Sequence, residues 1–196
     1  MMSRITWILI GAMSLAVSAA GQTETWQLDP MHSAAQFAVR HMGISTVRGT
    51  FTKASGAVQY DPADPAKSSI DATIDAASVD SRVEMRDNDL RSARFFDVAK
   101  YPTITFKSKR VEPEGKGRLK VTGDLTIHGV TKEVVLDVDG PSEPIKDPRG
   151  NSHMGASATT TINRRDFGVG AIPSAMVADD VAVTIDMELV KPSAPK

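Results

Sequence analysis

The sequence predicts an all-β protein of mostly antiparallel strands, closed into a barrel or stacked as a sandwich. Three observations carry this. Apolar and polar residues alternate along several short segments, the period of strands with one buried face. Turn-forming residues separate those segments. A single internal stretch breaks the alternation. A closed barrel has the further merit of leaving no exposed sheet edge.

The elements follow in chain order. Ala35, Phe37 and Val39 alternate with Gln36, Ala38 and Arg40. Ile70, Ala72, Ile74 and Ala76 alternate with Asp71, Thr73 and Asp75. Ser81 to Arg94 is charged and free of Gly and Pro, with Val79, Val83, Leu90 and Ala93 roughly on one helical face. It predicts a helix or helical loop over 81–94, with Ser78 or Ser81 placed to cap its start. Val121 to Val138 is the clearest hairpin, because His128-Gly129 suits a two-residue turn that needs positive φ. That turn pairs Ile127 with Val130 and Leu125 with Lys132. Val121, Leu125, Ile127, Val130, Val134, Leu136 and Val138 then share one face, and a one-residue slip would scramble the separation. Ala156 to Ile162, rich in Thr and small residues, reads as another strand. Val181, Val183, Ile185, Met187 and Leu189 alternate with Ala182, Thr184, Asp186 and Glu188.

The ends and the composition set the context. Arg4, the apolar run Ile5 to Val17 and the small residues Ser18 to Gly21 have the order that signal peptidase reads. Residues 1–20 are expected to be cleaved, 21–191 to form one domain, and 192–196 to be a disordered tail. This predicts a periplasmic or secreted protein. No second apolar run is long enough to span a bilayer, so stable membrane insertion is not expected. The formal charge is −1, without the basic bias that nucleic acid demands. There is no cysteine, which excludes thiolate chemistry.

Recognisable catalytic sets are missing. His32, His41, His128 and His153 make no metal-spaced pair, so no metal site is expected. No nucleophile elbow, phosphate loop or dinucleotide fingerprint is present. Asp87-Asn88-Asp89 resembles the start of a calcium loop but lacks its Gly and closing Glu, and it reads as a solvated helix face. The chain is not expected to be an enzyme. The proposed inward positions include many small residues: Ala35, Ala72, Ala76, Gly123, Ala156 and Ala158. In a barrel these leave lumen volume unfilled, at a cost that a long apolar ligand would offset. Lys132 is the one charge on the apolar face of the hairpin, near its turn. Arg86 and Arg91 flank the helical segment, and Arg164 and Arg165 precede Phe167. Arginine suits phosphate because its fork engages two oxygens.

Four ordered segments resemble the YceI-like family of exported, lipocalin-like polyisoprenoid-binding proteins. The first, WQLDPMHSAAQFAVRHMGISTVRGTF, contains Trp26, Asp29, His32, Ser33, Phe37, His41, Gly49 and Phe51. The second, RDNDLRSARFFDVAKYPTITFKS, contains Arg86, Asp87, Leu90, Ser92, Phe95, Phe96, Tyr101, Pro102 and Phe106. GDLTIHGVTKEVVLDV and RRDFGVG follow, the last with Arg165, Phe167 and Gly168. The resemblance implies an eight-stranded antiparallel up-and-down barrel with a helix by one end. It also implies a tunnel for an isoprenoid chain, such as a polyprenyl phosphate or a quinone tail, and a homodimer. On that reading Phe37, Val39, Phe51, Ile74, Phe95, Phe106, Leu125, Val134 and Phe167 line the tunnel. Arg86, Lys132 and Arg165 sit near its mouth and read the head group. No covalent cofactor is implied; the bound molecule is the lipid. Asp89 and Arg94 depart from the family, which often has His and Asp there. Two other functions fit the same residues: an enzyme or redox accessory acting on a quinone or lipid through His32, His41 or Asp87, and a ligand-free stress-response interaction module.

Overall fold

A computed structural model describes residues 23–193. The expected cleaved segment 1–20 and residues 194–196 of the expected tail lie outside it. The described residues are all-β with one short α-helix. Their sheet is a closed eight-span antiparallel barrel of up-and-down order.

The first three spans are each interrupted once. β1 (Glu24–Leu28) and β2 (Ala34–His41) form the first, β3 (Ser45–Phe51) and β4 (Ala54–Tyr60) the second, β5 (Ser69–Asp75) and β6 (Val79–Asp80) the third. After α1 (Glu84–Arg91) come β7 (Thr103–Gly115), β8 (Arg118–Ile127) and β9 (Val130–Asp139). The two-residue β10 (Ile145–Lys146) pairs only with β11 (Ser152–Asn163), and β12 (Val177–Lys191) completes the wall. Each span pairs with the next. β12 then closes the ring by pairing with β11 on one side and with β1 and β2 on the other.

The hairpin has the register that its alternation requires, with Ile127 opposite Val130 and Leu125 opposite Lys132. His128 and Gly129 both take positive φ, 52° and 74°, which matches the right-handed twist of the arms. The ring of Tyr101 lies against Gly129, where no Cβ stands in its way.

The closing seam contains a break. Between β1 and β2 the chain leaves the ladder at Asp29–Ser33. The Asp29 N–H donates to the Glu188 carbonyl at 2.8 Å, and the Glu188 N–H donates to Ser33 Oγ at 3.0 Å. A side-chain hydroxyl thus stands in for a missing backbone acceptor, as buried backbone groups require.

α1 is shorter than the expected helical segment. Val83 is its N-cap and supplies no side-chain bond, so neither Ser78 nor Ser81 caps it. Ser81 instead donates from N–H and Oγ to the Asp87 carboxylate. Asp87 is therefore buried, which corrects the reading of 87–89 as a solvated face: its carboxylate folds back onto the chain entering the helix.

The small inward residues correct a second expectation. Gly123 leaves no empty volume, because the Phe106 ring of the adjacent strand lies flat on it. A Cβ there would come within 2.5 Å of Phe106 Cζ and 2.6 Å of the Lys107 carbonyl. Gly49 is overlaid by Phe37, directly opposite it, in the same way. We therefore expect Gly123→Ala to destabilise the fold by about 1–3 kcal/mol through overpacking. Gly155→Ala, whose Cβ would meet nothing closer than 3.8 Å, should change stability by less than about 1 kcal/mol. Urea unfolding midpoints of the two variants check the difference.

Candidate functional site

The lumen is the candidate site. Alternation places Val181, Val183, Ile185 and Met187 of β12 on its wall, with Val177 beyond a register shift and the inward residues of β2, β5, β8 and β9. It holds a cavity of about 220 Å³. At one end Leu90, Phe95, Phe96, Phe167 and Val169 cover it from α1, from the turns that follow α1 and from the segment after β11. Phe37, Phe51 and Phe96 make a chain of tilted rings there, with centroids 6.0 and 5.5 Å apart. At the other end Trp26, Met154 and Leu189 form a small buried cluster, and the cavity stops beside it at Leu28 and Met187. The ten-residue rise from Val177 to Met187 covers about 33 Å of strand, or about 25 Å along a barrel axis at the usual strand tilt. So small a volume drawn out over that length is a slot rather than a chamber.

All nine residues named for the tunnel wall, Phe37, Val39, Phe51, Ile74, Phe95, Phe106, Leu125, Val134 and Phe167, stand on this wall. Of the small residues, Ala35, Ala72 and Ala158 do so as well. Ala76 lies outside the lumen in a short turn of 3-10 helix.

The three charged residues named for the head group are placed differently. None lines the lumen. Arg86 donates from Nε to Ser81 Oγ at 2.7 Å and from Nη2 to the Ser81 carbonyl at 2.8 Å. Arg165 is exposed and pairs through Nε with Asp179 Oδ1 at 2.6 Å. Lys132 is exposed on β9, opposite the lumen-lining Leu125. Asp89 and Arg94, the two departures from the resembling family, form one ion pair at 3.0 Å.

The cation on the wall is Arg164, which sequence reasoning passed over for its neighbour. Arg164 is 5 % exposed. Its guanidinium donates to the carbonyls of Ala178, Val169, Gly170, Ile172 and Val177 and to Asp179 Oδ1. It thereby gathers the strap between β11 and β12 over the end of the lumen. Burial pulls its pKa down, against the attraction of Asp179. The Ser174 hydroxyl, with Arg165 and Arg164, holds the Asp179 carboxyl below the usual carboxylate range. In sequence nothing separates Arg164 from Arg165. The separation comes from the 3-10 turn Arg164–Phe167, which turns one side chain in and the other out.

Residues 26–189 match the YceI-like domain family. A UPF0312 protein of Vibrio cholerae is 37% identical over 173 residues, covering 87% of this chain and 90% of its own. The crystal structure of Burkholderia cenocepacia BcnA superposes with a TM-score of 0.73 at 28% identity, over 84% of this chain and 99% of that one. A polyisoprenoid binding domain from Saccharophagus degradans shares the fold, with a TM-score of 0.60 at 16% identity over 85% and 98%.

Arg164→Met strands several carbonyls of the strap, each costing about 1–3 kcal/mol when left buried without a partner. We expect it to lose on the order of 3 kcal/mol of stability and to become cleavable by protease within 165–178. Arg165→Met, which removes a surface pair, should lose about 1 kcal/mol or less. Thermal melts and limited proteolysis read both.

Proposed function

The chain belongs to the YceI-like domain family, and on that premise and the shape of its lumen we propose that it binds one chain of an amphiphilic polyisoprenoid lipid. The ligand class is a polyprenyl phosphate or the tail of a quinone. The chain acts as a carrier or binding protein in the periplasm or outside the cell. The carrying observation is the apolar slot itself. A cavity lined by apolar side chains and too narrow for a compact molecule suits a linear hydrocarbon. A dry cavity of this size costs on the order of 5 kcal/mol relative to a filled one, so an occupant stabilises the fold. The polyisoprenoid binding named for the Saccharophagus degradans domain supports the same ligand class.

No covalent step is needed, because sequestration is mass action. Relative to water, each methylene held in the lumen is favoured by about 0.8 kcal/mol, so the lumen keeps in solution a tail that water alone rejects. The cover that Arg164 fixes, together with α1, controls entry. Met42, Ile44, Val83, Met85 and Met176 are exposed near the covered end, Ile44 at 79% and Met85 at 81%. They supply an apolar rim through which a lipid tail passes between a bilayer and the barrel.

Chain purified under mild conditions should yield, on organic extraction and mass spectrometry, one isoprenoid lipid at close to one per chain. Ala72→Phe, which narrows the slot from β5, should yield less lipid or a shorter one while keeping its β-sheet circular dichroism. Blank extracts from several preparations of the unmodified chain would sink the carrier reading. Ile44→Asp with Met85→Asp should slow transfer of a labelled isoprenoid from vesicles several-fold without lowering the amount bound at equilibrium. Unchanged transfer rates would remove the rim from the account.

A further inference from the structure

The break in the seam brings together side chains that the lumen does not use. Asp29 and His32 lie in the segment that leaves the ladder between β1 and β2. Glu188 lies opposite it on β12 and points away from the lumen, since its neighbour Met187 points in. His32 Nδ1 is 2.9 Å from Asp29 Oδ2 and 3.9 Å from Glu188 Oε2. One ligand atom from each of the three residues falls within 4.8 Å of the others. Tetrahedral zinc, with bonds of about 2.0–2.1 Å to nitrogen and oxygen, needs ligand atoms about 3.3 Å apart. The two distances to His32 bracket that value.

The surroundings resemble the support given to a metal ligand. His153 on β11 approaches the other oxygen of Glu188, Nδ1 to Oε1, at 2.7 Å, and its Nε2 lies 3.3 Å from Asp147 Oδ2. This fixes Glu188 and leaves Oε2 directed at His32. Outer partners of this kind orient the residues that touch the ion. Asp147 is itself anchored by the Asn151 side chain and backbone. The group opens into a surface groove of about 520 Å³, walled on its far side by Ser142, Ile145 and Lys146.

We propose that Asp29, His32 and Glu188 form a binding site for a divalent transition-metal ion on the outer face of the barrel, with a spacing that tetrahedral Zn²⁺ fits. One imidazole and two carboxylates are borderline-to-hard donors, which disfavours Cu(I) and suits divalent first-row ions, Zn²⁺ among them. Three protein ligands leave a fourth position facing the groove, the open arrangement of sites that accept water or an external ligand. The ion would join the segment 29–33 to β12 at the point where the ladder is broken. The alternative is an ion-pair network that needs no metal.

The test uses tagless full-length mature chain, stripped with chelator and titrated with Co²⁺. The expected result is one Co²⁺ per chain, with the visible absorption of a four- or five-coordinate ion that Zn²⁺ displaces, and a Zn²⁺-dependent rise in melting temperature. His32 is 61% exposed, so His32→Asn leaves the fold intact and should weaken binding at least 100-fold. His153→Gln should weaken it about 10- to 100-fold, and His41→Asn should change nothing. No stoichiometric Co²⁺ binding, or equal binding by His32→Asn, would overturn the proposal.

Discussion

A barrel with an apolar lumen stands only while its backbone wall is unbroken, and this wall closes at β12. Each span pairs with the span next to it in sequence, and β12, the last, must also reach back to the first. β12 must hold β11 along its whole length on one side and both halves of the first span on the other. The lumen offers water no hydrogen-bonding partners, so a gap in the wall would expose backbone groups to a site that cannot satisfy them. The chain meets this at the weakest point with one hydroxyl, Ser33, and one backbone bond from Asp29. The same local break that must be patched also swings Asp29 and His32 outward beside Glu188.

The lumen's shape follows from a pairing rule between strands. Where a phenylalanine would fill the slot, the next strand carries glycine, and the ring lies down on it: Phe37 on Gly49, Phe106 on Gly123. Rings laid flat thicken the wall without crossing the axis. Alanines at 35, 72 and 158 keep the remaining surface low. The slot is therefore long, thin and greasy by construction, and its cover is built separately, from α1 and from the strap gathered by Arg164. Arg86 and Arg165 are already engaged by Ser81 and Asp179, and the Asp89–Arg94 pair offsets charge on the helix.

Much of this was legible in the residues. Strict alternation and the His128-Gly129 turn specified the β8–β9 register, and parity along β2, β5 and β12 marked the inward side. β3 and β4 were harder to read, because Gly49 and Gly56 occupy inward positions where an apolar side chain would have shown the period. Arg164 was hidden because its orientation depends on a 3-10 turn that begins at that residue. The group around Glu188 was hidden for a different reason: its members are more than 150 residues apart in part and meet only because the barrel closes. Spacing along the chain gave His32 no metal-binding partner, and it lies in a bend between β1 and β2, on no strand. Asp87, taken for a solvated carboxylate, is buried by a backward contact with Ser81 that no helical period reveals.

The central claim is that a hydrocarbon chain occupies the lumen. Calorimetric titration with isoprenyl phosphates of increasing chain length tests it most directly. If the slot is the site, affinity rises with each added isoprene unit until the slot is full, then levels off, and Ala72→Phe moves the plateau to shorter chains. Affinity that ignores chain length, or that keeps rising alike in the unmodified chain and Ala72→Phe, would contradict it.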